Sequence, residues 1–293
     1  MAGPRWFGRA RHASFGEKAK DVVLGLLFRG GWTAAITHII GLQGTLEIAE
    51  HVFRFRRAPV APPKLRVVFV SDFHAGPTVH ASLFADMFAA IEEARADLLL
   101  LGGDFVSFHA KYVADLVEPL RRIEPPLGKY GVLGNHDLIG DDAYITARLR
   151  DAGVRILVNE NVRLPAPHDD VWICGLDDWN EGQPDARKTF QGATGTRILL
   201  AHQPDALSVL DGESFDLGLF GHVHGGQFLL RNRRPVISHR GPISKLYMHG
   251  GVFHTGVDNT PVVVSRGIGT STLPGRRHAD PQVHVCTLVP RDS

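Results

Sequence analysis

Short apolar runs along the middle of this chain each end directly at a polar block. These runs are residues 65–70 (LRVVFV), 97–101 (DLLLL), 129–133 (KYGVL), 197–201 (RILLA) and 215–220 (FDLGLF). Their length and continuous apolar character predict strands that are buried on both faces, as in parallel sheets. Between the first three runs, residues 82–94 and 112–123 place apolar side chains at helical spacing. The pattern predicts alternating strands and helices, and therefore an α/β fold.

The spacing of the polar blocks matches this repeat. Asp104 lies 32 residues after Asp72, and Asn135 lies 31 residues after Asp104. About 30 residues are needed for one strand, one helix and two loops of a βαβ unit. We therefore expect the blocks at the same end of neighbouring strands, which is the end where open α/β sheets bind ligands.

The blocks carry the side chains that bind metals. They are Ser71-Asp72-Phe73-His74, Gly103-Asp104, Gly134-Asn135-His136-Asp137, Ala201-His202-Gln203 and Gly221-His222-Val223-His224. Three aspartates, five histidines and one asparagine form an oxygen and nitrogen donor set suited to two divalent transition ions about 3.5–4 Å apart. Taken alone, an Asp-x-His is a common surface pair, and Gly-Asp or Gly-Asn-His-Asp is a common turn. The ordered set favours a two-metal hydrolase over these structural interpretations.

With these blocks, the chain resembles the calcineurin-like metallophosphoesterase superfamily over roughly residues 64 to 289. The segments LLAHQPD (199–205), GHVHGGQ (221–227) and SRGIGTSTLPGR (265–276) are similar to a bacterial branch of membrane-associated phosphodiesterases. Some members of that branch hydrolyse the pyrophosphate of UDP-2,3-diacylglucosamine in lipid A synthesis. The resemblance implies a four-layer α/β/β/α sandwich of two packed mixed sheets flanked by helices, formed by a catalytic domain at residues 64–293.

The resemblance also implies two sets of metal ligands. The first set is Asp72, His74 and His224, the second is Asn135, His202 and His222, and Asp104 bridges the two ions. A hydroxide shared by the ions is the expected nucleophile, because metal coordination lowers the pKa of water from 15.7 toward about 7. Mn²⁺ is the metal we expect first, and Fe, Zn²⁺ and Ni²⁺ suit the same ligands.

Two residues of the third block are expected to act in catalysis. His136 follows the metal-binding asparagine, and we assign it the role of general acid toward the leaving group. Asp137 is expected to hold the His136 imidazole in the correct tautomer and to raise its pKa. The dedicated sugar-nucleotide hydrolases of lipid A synthesis usually carry Arg at the position of His136, so the resemblance to those enzymes is distant.

Two further features have both a functional and a structural interpretation. Gly225 and Gly226 either keep side chains away from the metals, so that backbone amides face phosphate, or form a tight turn. Arg276 and Arg277 either bind phosphate through bidentate contacts or are exposed loop residues.

Composition adds little to the function. The 293 residues are 44% hydrophobic, with a net charge of +1. This balance predicts an ordered protein and gives no reason to expect nucleic acid as a partner. Cys174 and Cys286 lie in strand-like contexts, where buried free thiols are the usual case.

The first 63 residues differ from the rest and are expected to form a basic, partly amphipathic extension and linker. Residues 1–30 contain six basic and two acidic side chains. Apolar residues between Ala19 and Leu27 fall on one helical face, which suits either an anionic membrane interface or packing on the domain. The segment resembles neither a membrane span nor a signal peptide. We expect a cytoplasmic protein. If the helix binds an anionic membrane interface, the protein is expected to be peripheral on the inner membrane surface. Pro59, Pro62 and Pro63 predict a stiff linker, and residues 45–55 predict an edge strand.

Three functions follow from these observations. The first is hydrolysis of a phosphoester or pyrophosphate by two metals, with a membrane-derived substrate such as UDP-2,3-diacylglucosamine. The second is a general phosphodiesterase or nuclease acting on cyclic nucleotides or nucleic acid, which the absence of a basic and aromatic stripe disfavours. The third is a non-catalytic metal-binding scaffold, which the presence of every expected ligand disfavours.

Overall fold

The computed structural model describes residues 7–54, 63–232, 234–236, 241–256 and 258–290. Within these ranges, twelve strands form two six-stranded sheets. The first sheet has the order β1 (Glu47–Arg54), β12 (Gln282–Val289), β2 (Leu65–Val70), β3 (Leu98–Leu101), β4 (Lys129–Gly131) and β5 (Val154–Ile156). The second has the order β10 (Gly251–Thr255), β11 (Thr260–Val264), β9 (Leu217–Phe220), β8 (Thr196–Leu200), β7 (Val171–Gly175) and β6 (Glu160–Arg163).

Both faces of each central strand are buried, which explains the continuous apolar runs. In β2, Val67 and Phe69 point into the core between the two sheets, whereas Val68 and Val70 pack in a second core on the helical side. A third core lies on the outer face of the second sheet. The predicted four-layer α/β/β/α sandwich of two mixed sheets is therefore confirmed.

Eight α-helices are formed by the described residues. They are α1 (Phe15–Leu27), α2 (Trp32–Ile39), α3 (Ala81–Ala94), α4 (Ala114–Arg122), α5 (Asn135–Ile139), α6 (Asp142–Asp151), α7 (Ala186–Phe190) and α8 (Pro242–Leu246). Short 3₁₀ helices span Ala110–Val113, Pro204–Val209 and His224–Gly226. The predicted helices at 82–94 and 112–123 correspond to α3 and α4.

The strands that precede the polar blocks run parallel within each sheet. β2, β3 and β4 are parallel neighbours in the first sheet, as are β8 and β9 in the second. Their carboxyl ends therefore open at the same edge, as the spacing predicts. The strand predicted at 129–133 is shorter than expected and ends at Gly131.

Part of the N-terminal segment belongs to the first sheet. β1 pairs in parallel with β12 and forms the edge strand predicted at 45–55. Pro59 and Pro62 of the predicted linker lie outside the described residues, and the domain boundary at residue 63 stays a prediction.

The first two helices bury small or polar side chains and leave large apolar ones exposed. α1 starts at a capping box, in which the Ser14 hydroxyl accepts the Glu17 N–H and the Glu17 carboxylate accepts the Ser14 N–H. α2 buries Thr33, Ala34 and Thr37. Large apolar side chains of the pair remain exposed, namely Phe15, Val23, Leu26, Leu27, Trp32, Ile36 and Ile39.

No single helix among the described residues is long and apolar enough to cross a membrane. α1 and α2 together reach the length and composition of a span, but they are bent by 71°.

Candidate metal centre

Two groups of metal-binding side chains meet at the carboxyl edges of the two sheets. Within each group, one ligand atom per residue lies within 4.8 Å of the others. The first group is Asp72, His74, Asp104 and His224, and the second is Asp104, His202 and His222. The side-chain amide oxygen Oδ1 of Asn135 lies 3.1 Å from Nε2 of His202, beside the second group. The structure thus brings together all seven side chains that the sequence predicts as ligands.

Asp104 occupies the position between the two groups. Its Oδ2 atom lies 3.5 Å from Nε2 of His74 and 3.2 Å from Nε2 of His202. The side chain is 1% exposed, so its charge is hardly screened by water. A carboxylate in this position can contact a cation held by the first group and a cation held by the second.

Hydrogen bonds behind the histidines orient their rings. His202 Nδ1 donates to the backbone carbonyl of Gly102 at 2.8 Å, and His74 Nδ1 lies 2.8 Å from the hydroxyl of Ser107. With Nδ1 bound to the Gly102 carbonyl, Nε2 of His202 faces Asp104 and the cluster. Such partners fix the tautomer that a metal requires.

The backbone at the site is held in an unusual conformation. Five of the clustered residues have positive φ, namely Asp72 (54°), His74 (47°), Asp104 (52°), His222 (72°) and His224 (51°). This left-handed region is uncommon for residues other than glycine. Such conformations gather at functional sites, where the surrounding structure holds them.

Glycines allow the backbone to approach the carboxylates. A Cβ atom at Gly134 would lie 2.2 Å from Oδ1 of Asp104, and one at Gly221 would lie 2.4 Å from Oδ2 of Asp72. Neither distance is compatible with a side chain. These glycines let the two blocks close around their neighbouring aspartates.

The site carries a strong negative potential. Burial lowers the pKa of His202, but the carboxylates of Asp104, Asp72 and Asp178 outweigh this effect and raise that pKa to about 10. The cluster therefore attracts positive charge. Oxygen and imidazole donors in this geometry fit two divalent ions.

His136 lies at the rim of the cluster. Its ring stands edge-on to that of His74, with centroids 4.9 Å apart, and its Nε2 lies 3.4 Å from the Ser271 hydroxyl. The side chain is partly exposed, so it can meet a substrate from outside.

Asp137 does not make the expected hydrogen bond to the His136 imidazole among the described residues. Both of its carboxylate oxygens accept backbone N–H groups: Oδ1 those of Phe105 and Val106, and Oδ2 that of Gly134. These three bonds engage both oxygens of the carboxylate with the backbone. Asp137 instead ties the Gly134 turn to the loop after β3.

Neither expected role of Arg276 is correct. The side chain is 2% exposed, and it donates to the backbone carbonyls of His224, Arg266, Gly269 and Ala279. Its Nη2 atom lies 3.2 Å from Nδ1 of His224. Burial lowers the pKa of Arg276 to about 10, so the guanidinium stays charged at neutral pH. Arg276 thus stabilises the backbone of the His224 block through these hydrogen bonds.

Gly225 and Gly226 match the structural interpretation. Both have positive φ. A Cβ atom at Gly225 would meet the Arg266 side chain, and one at Gly226 would meet Pro235 and Leu229. The glycines form a tight turn packed against neighbouring side chains.

The N-terminal segment reaches the rim of the site, which the sequence did not predict. Residues 7–13, here called the N-terminal strap, pair with α5 through the backbone N–H groups of Gly8 and Ala10, which donate to Ile139 and Leu138. Arg9 donates two hydrogen bonds to Asp177, each of 2.8 Å. An isolated arginine far from the blocks carries no signal of this contact in the sequence.

The family model for the calcineurin-like phosphoesterases matches residues 65–226. The chain belongs to this family. A metallophosphoesterase of Bacillus subtilis, YkuE, is 30% identical over 249 residues, which cover 83% of this chain and 85% of that protein. The phosphodiesterase YaeI of Escherichia coli is 32% identical over 191 residues, which cover 63% of this chain and 68% of YaeI.

A solved structure of the NAD nucleotidase NadN of Haemophilus influenzae aligns with a TM-score of 0.44 and 15% identity, over 71% of this chain and 46% of that one. Membership of the calcineurin-like phosphoesterases makes this chain a phosphoester hydrolase. The family and the buried aspartate and histidine clusters agree on a divalent two-metal site.

Proposed function

We propose that this chain is a two-metal phosphodiesterase or pyrophosphatase whose substrate comes from a membrane lipid, with UDP-2,3-diacylglucosamine as the leading candidate. The observation that carries the two-metal reaction is the position of Asp104, which belongs to both ligand groups. Asp72, His74 and His224 would hold one ion, and Asn135, His202 and His222 the other. Mn²⁺ is the ion we expect first.

The side chains divide the chemistry between them. Two ions held here would supply Lewis acidity at the phosphoryl group and a water of lowered pKa as nucleophile. His136 stands at the open rim, where its imidazole can give a proton to the departing oxygen. A well-placed general acid contributes about 10²- to 10⁴-fold to the rate.

The lipid part of the proposal rests on the surface of α1 and α2. α2 turns Thr33 and Thr37 inward and exposes Trp32, Ile36 and Ile39, which reverses the usual arrangement of a helix on a water-soluble domain. Exposed basic residues of the same segment are Arg11, Lys20 and Arg29. Apolar side chains together with basic ones suit an anionic bilayer surface. Contact with such a surface would bring the metal centre to lipid substrates.

A substrate panel tests this function. Purified protein with added Mn²⁺ is expected to hydrolyse bis(p-nitrophenyl) phosphate, and to prefer UDP-2,3-diacylglucosamine over cyclic nucleotides, oligonucleotides and phospholipids. A preference for cyclic nucleotides or oligonucleotides would favour the general phosphodiesterase. Metal binding without turnover of any substrate would favour the non-catalytic scaffold, and turnover without metal would reject the two-metal reaction.

A further inference from the structure

A crevice runs along the inner side of α1. It has a volume of about 290 Å³, near the lower end of small-molecule pockets. One wall is formed by Val22, Gly25 and Leu26 of α1, and the other by Phe108 and Tyr112. These five residues carry no charge, whereas Asp21, Arg29, His109 and Lys111 add polar groups to the lining.

The crevice lies close to the rim of the metal centre. A second cavity, of only about 10 Å³, shares Asp21, Val22, Phe108 and His109 with it and is also lined by His136. The shared residues place the crevice next to the proposed general acid.

The crevice also adjoins the apolar outer surface of α1. Leu26 lines the crevice and is 61% exposed, and Val23 of the same helix is equally exposed without lining it. Arg29 and Lys111, both exposed, also line the crevice. Basic side chains at such an opening suit the anionic head groups of a bilayer.

We infer that this crevice binds an acyl chain of the substrate while the phosphoryl group lies at the metal centre. The inference rests on the proposed function and specifies its substrate class: a phosphoester or pyrophosphate that carries at least one long hydrocarbon chain. Burial of methylene groups between Val22 and Phe108 supplies the affinity. The exposed apolar surface of α1 and α2 lets the chain pass from the bilayer into the crevice without crossing water.

Two soluble chromogenic diesters test the inference. They are ethyl p-nitrophenyl phosphate and dodecyl p-nitrophenyl phosphate, each below its micelle concentration, with Mn²⁺ and without vesicles. The readout is the ratio of kcat/KM for the dodecyl ester to kcat/KM for the ethyl ester. We expect a ratio of at least 10 for the unaltered protein, because several buried methylenes add to binding of the long ester alone.

Adjacent valines provide a matched pair of variants. Val22→Phe fills the crevice and is expected to lower the ratio toward 1, whereas Val23→Phe changes an exposed neighbour and is expected to keep it. Gly25→Leu is a second way to fill the crevice, since a Cβ atom there would already lie 3.2 Å from Phe108. A variant that folds poorly loses rate on both esters equally. Its ratio therefore stays unchanged, and the defect is not mistaken for a filled crevice.

The outcomes distinguish the crevice from the proposed function. If the ethyl ester is hydrolysed but the ratio is near 1 in the unaltered protein, the crevice does not bind acyl chains. A high ratio that persists in both Val22→Phe and Gly25→Leu would also overturn the inference. If neither ester is hydrolysed, the proposed function itself fails.

Discussion

The carboxylate of Asp104 accepts the backbone N–H of His136 through Oδ1 at 2.9 Å, while its Oδ2 atom faces His74 and His202. One side chain thus joins the centre of the candidate metal site to the residue that we propose as general acid. The hydrogen bond holds the first turn of α5 against the cluster. Any change at Asp104 is therefore expected to affect both metal binding and the position of His136.

Replacement of His136 separates proton donation from metal binding. His136→Ala is expected to keep its metal content and to lose about 10²- to 10⁴-fold in rate on substrates with poor leaving groups. Phenyl phosphodiesters should lose more rate than p-nitrophenyl phosphodiesters, because p-nitrophenolate needs little protonation. Rates for both ester series and the metal content by mass spectrometry check this. An equal loss for both leaving groups, or loss of metal, would reject the acid role.

Asp137 is expected to contribute to stability. Asp137→Ala leaves buried N–H groups of Phe105 and Gly134 without an acceptor, and we expect the free energy of unfolding to fall by about 3 kcal/mol. The pH dependence of the remaining activity should keep its shape. Urea unfolding and a pH–rate profile measure the two effects. A shifted profile with unchanged stability would restore the orienting role that the sequence suggested.

Arg276 is expected to support metal affinity through His224. Arg276→Met leaves the carbonyl oxygens of His224 and Ala279 without their donor, and we expect metal affinity to weaken by about 10- to 100-fold. Arg277→Met is the matched control, because the neighbouring side chain is exposed. Competition with a chelator measures both variants. Equal affinities in the two variants would show that Arg276 does not support the site.

The strap contact between Arg9 and Asp177 predicts a pH dependence of stability. Burial raises the pKa of Asp177, but hydrogen bonds from Arg9 and the backbone outweigh it and lower that pKa below its ordinary value of 3.8. Because the folded pKa is depressed, the stabilisation is complete above the unfolded value and is lost as pH falls through the folded one. The difference in unfolding free energy between unaltered protein and Asp177→Asn should be constant from about pH 5 to 7 and shrink below about pH 4. A difference that grows in acid would contradict this.

Vesicle binding tests the outer surface of α2. Ile36→Glu and Ile39→Glu replace exposed apolar side chains, and each is expected to reduce sedimentation with anionic vesicles without lowering stability. Thr37 is buried on the opposite face, so it lies outside this surface. Trp32 fluorescence should shift to shorter wavelength when vesicles bind the unaltered protein. Unchanged sedimentation in both variants would favour the alternative, in which α1 and α2 pack on the domain and do not bind the membrane.

Much of the fold could be predicted because buried parallel strands impose continuous apolar runs, and because a polar block follows each of these runs at the same end of the strand. The contacts of Asp137 and Arg276 could not be predicted. Local spacing places Asp137 beside His136, but the direction of its side chain depends on the Phe105 loop, 32 residues away. A single arginine in a loop rich in glycine and proline gives no signal of burial. The pattern of α2 shows two faces, yet tertiary contacts alone decide that Thr33 points inward.

The most direct test of the two-metal account is the metal content of the purified protein after loading with Mn²⁺ and removal of free ions. Two ions per chain are expected for the unaltered protein, together with hydrolysis of bis(p-nitrophenyl) phosphate. Asp104→Asn keeps the shape of the side chain but removes the charge shared by both groups, so it is expected to hold at most one ion and to lose hydrolysis. An Asp104→Asn protein that binds two ions and remains active would contradict the account.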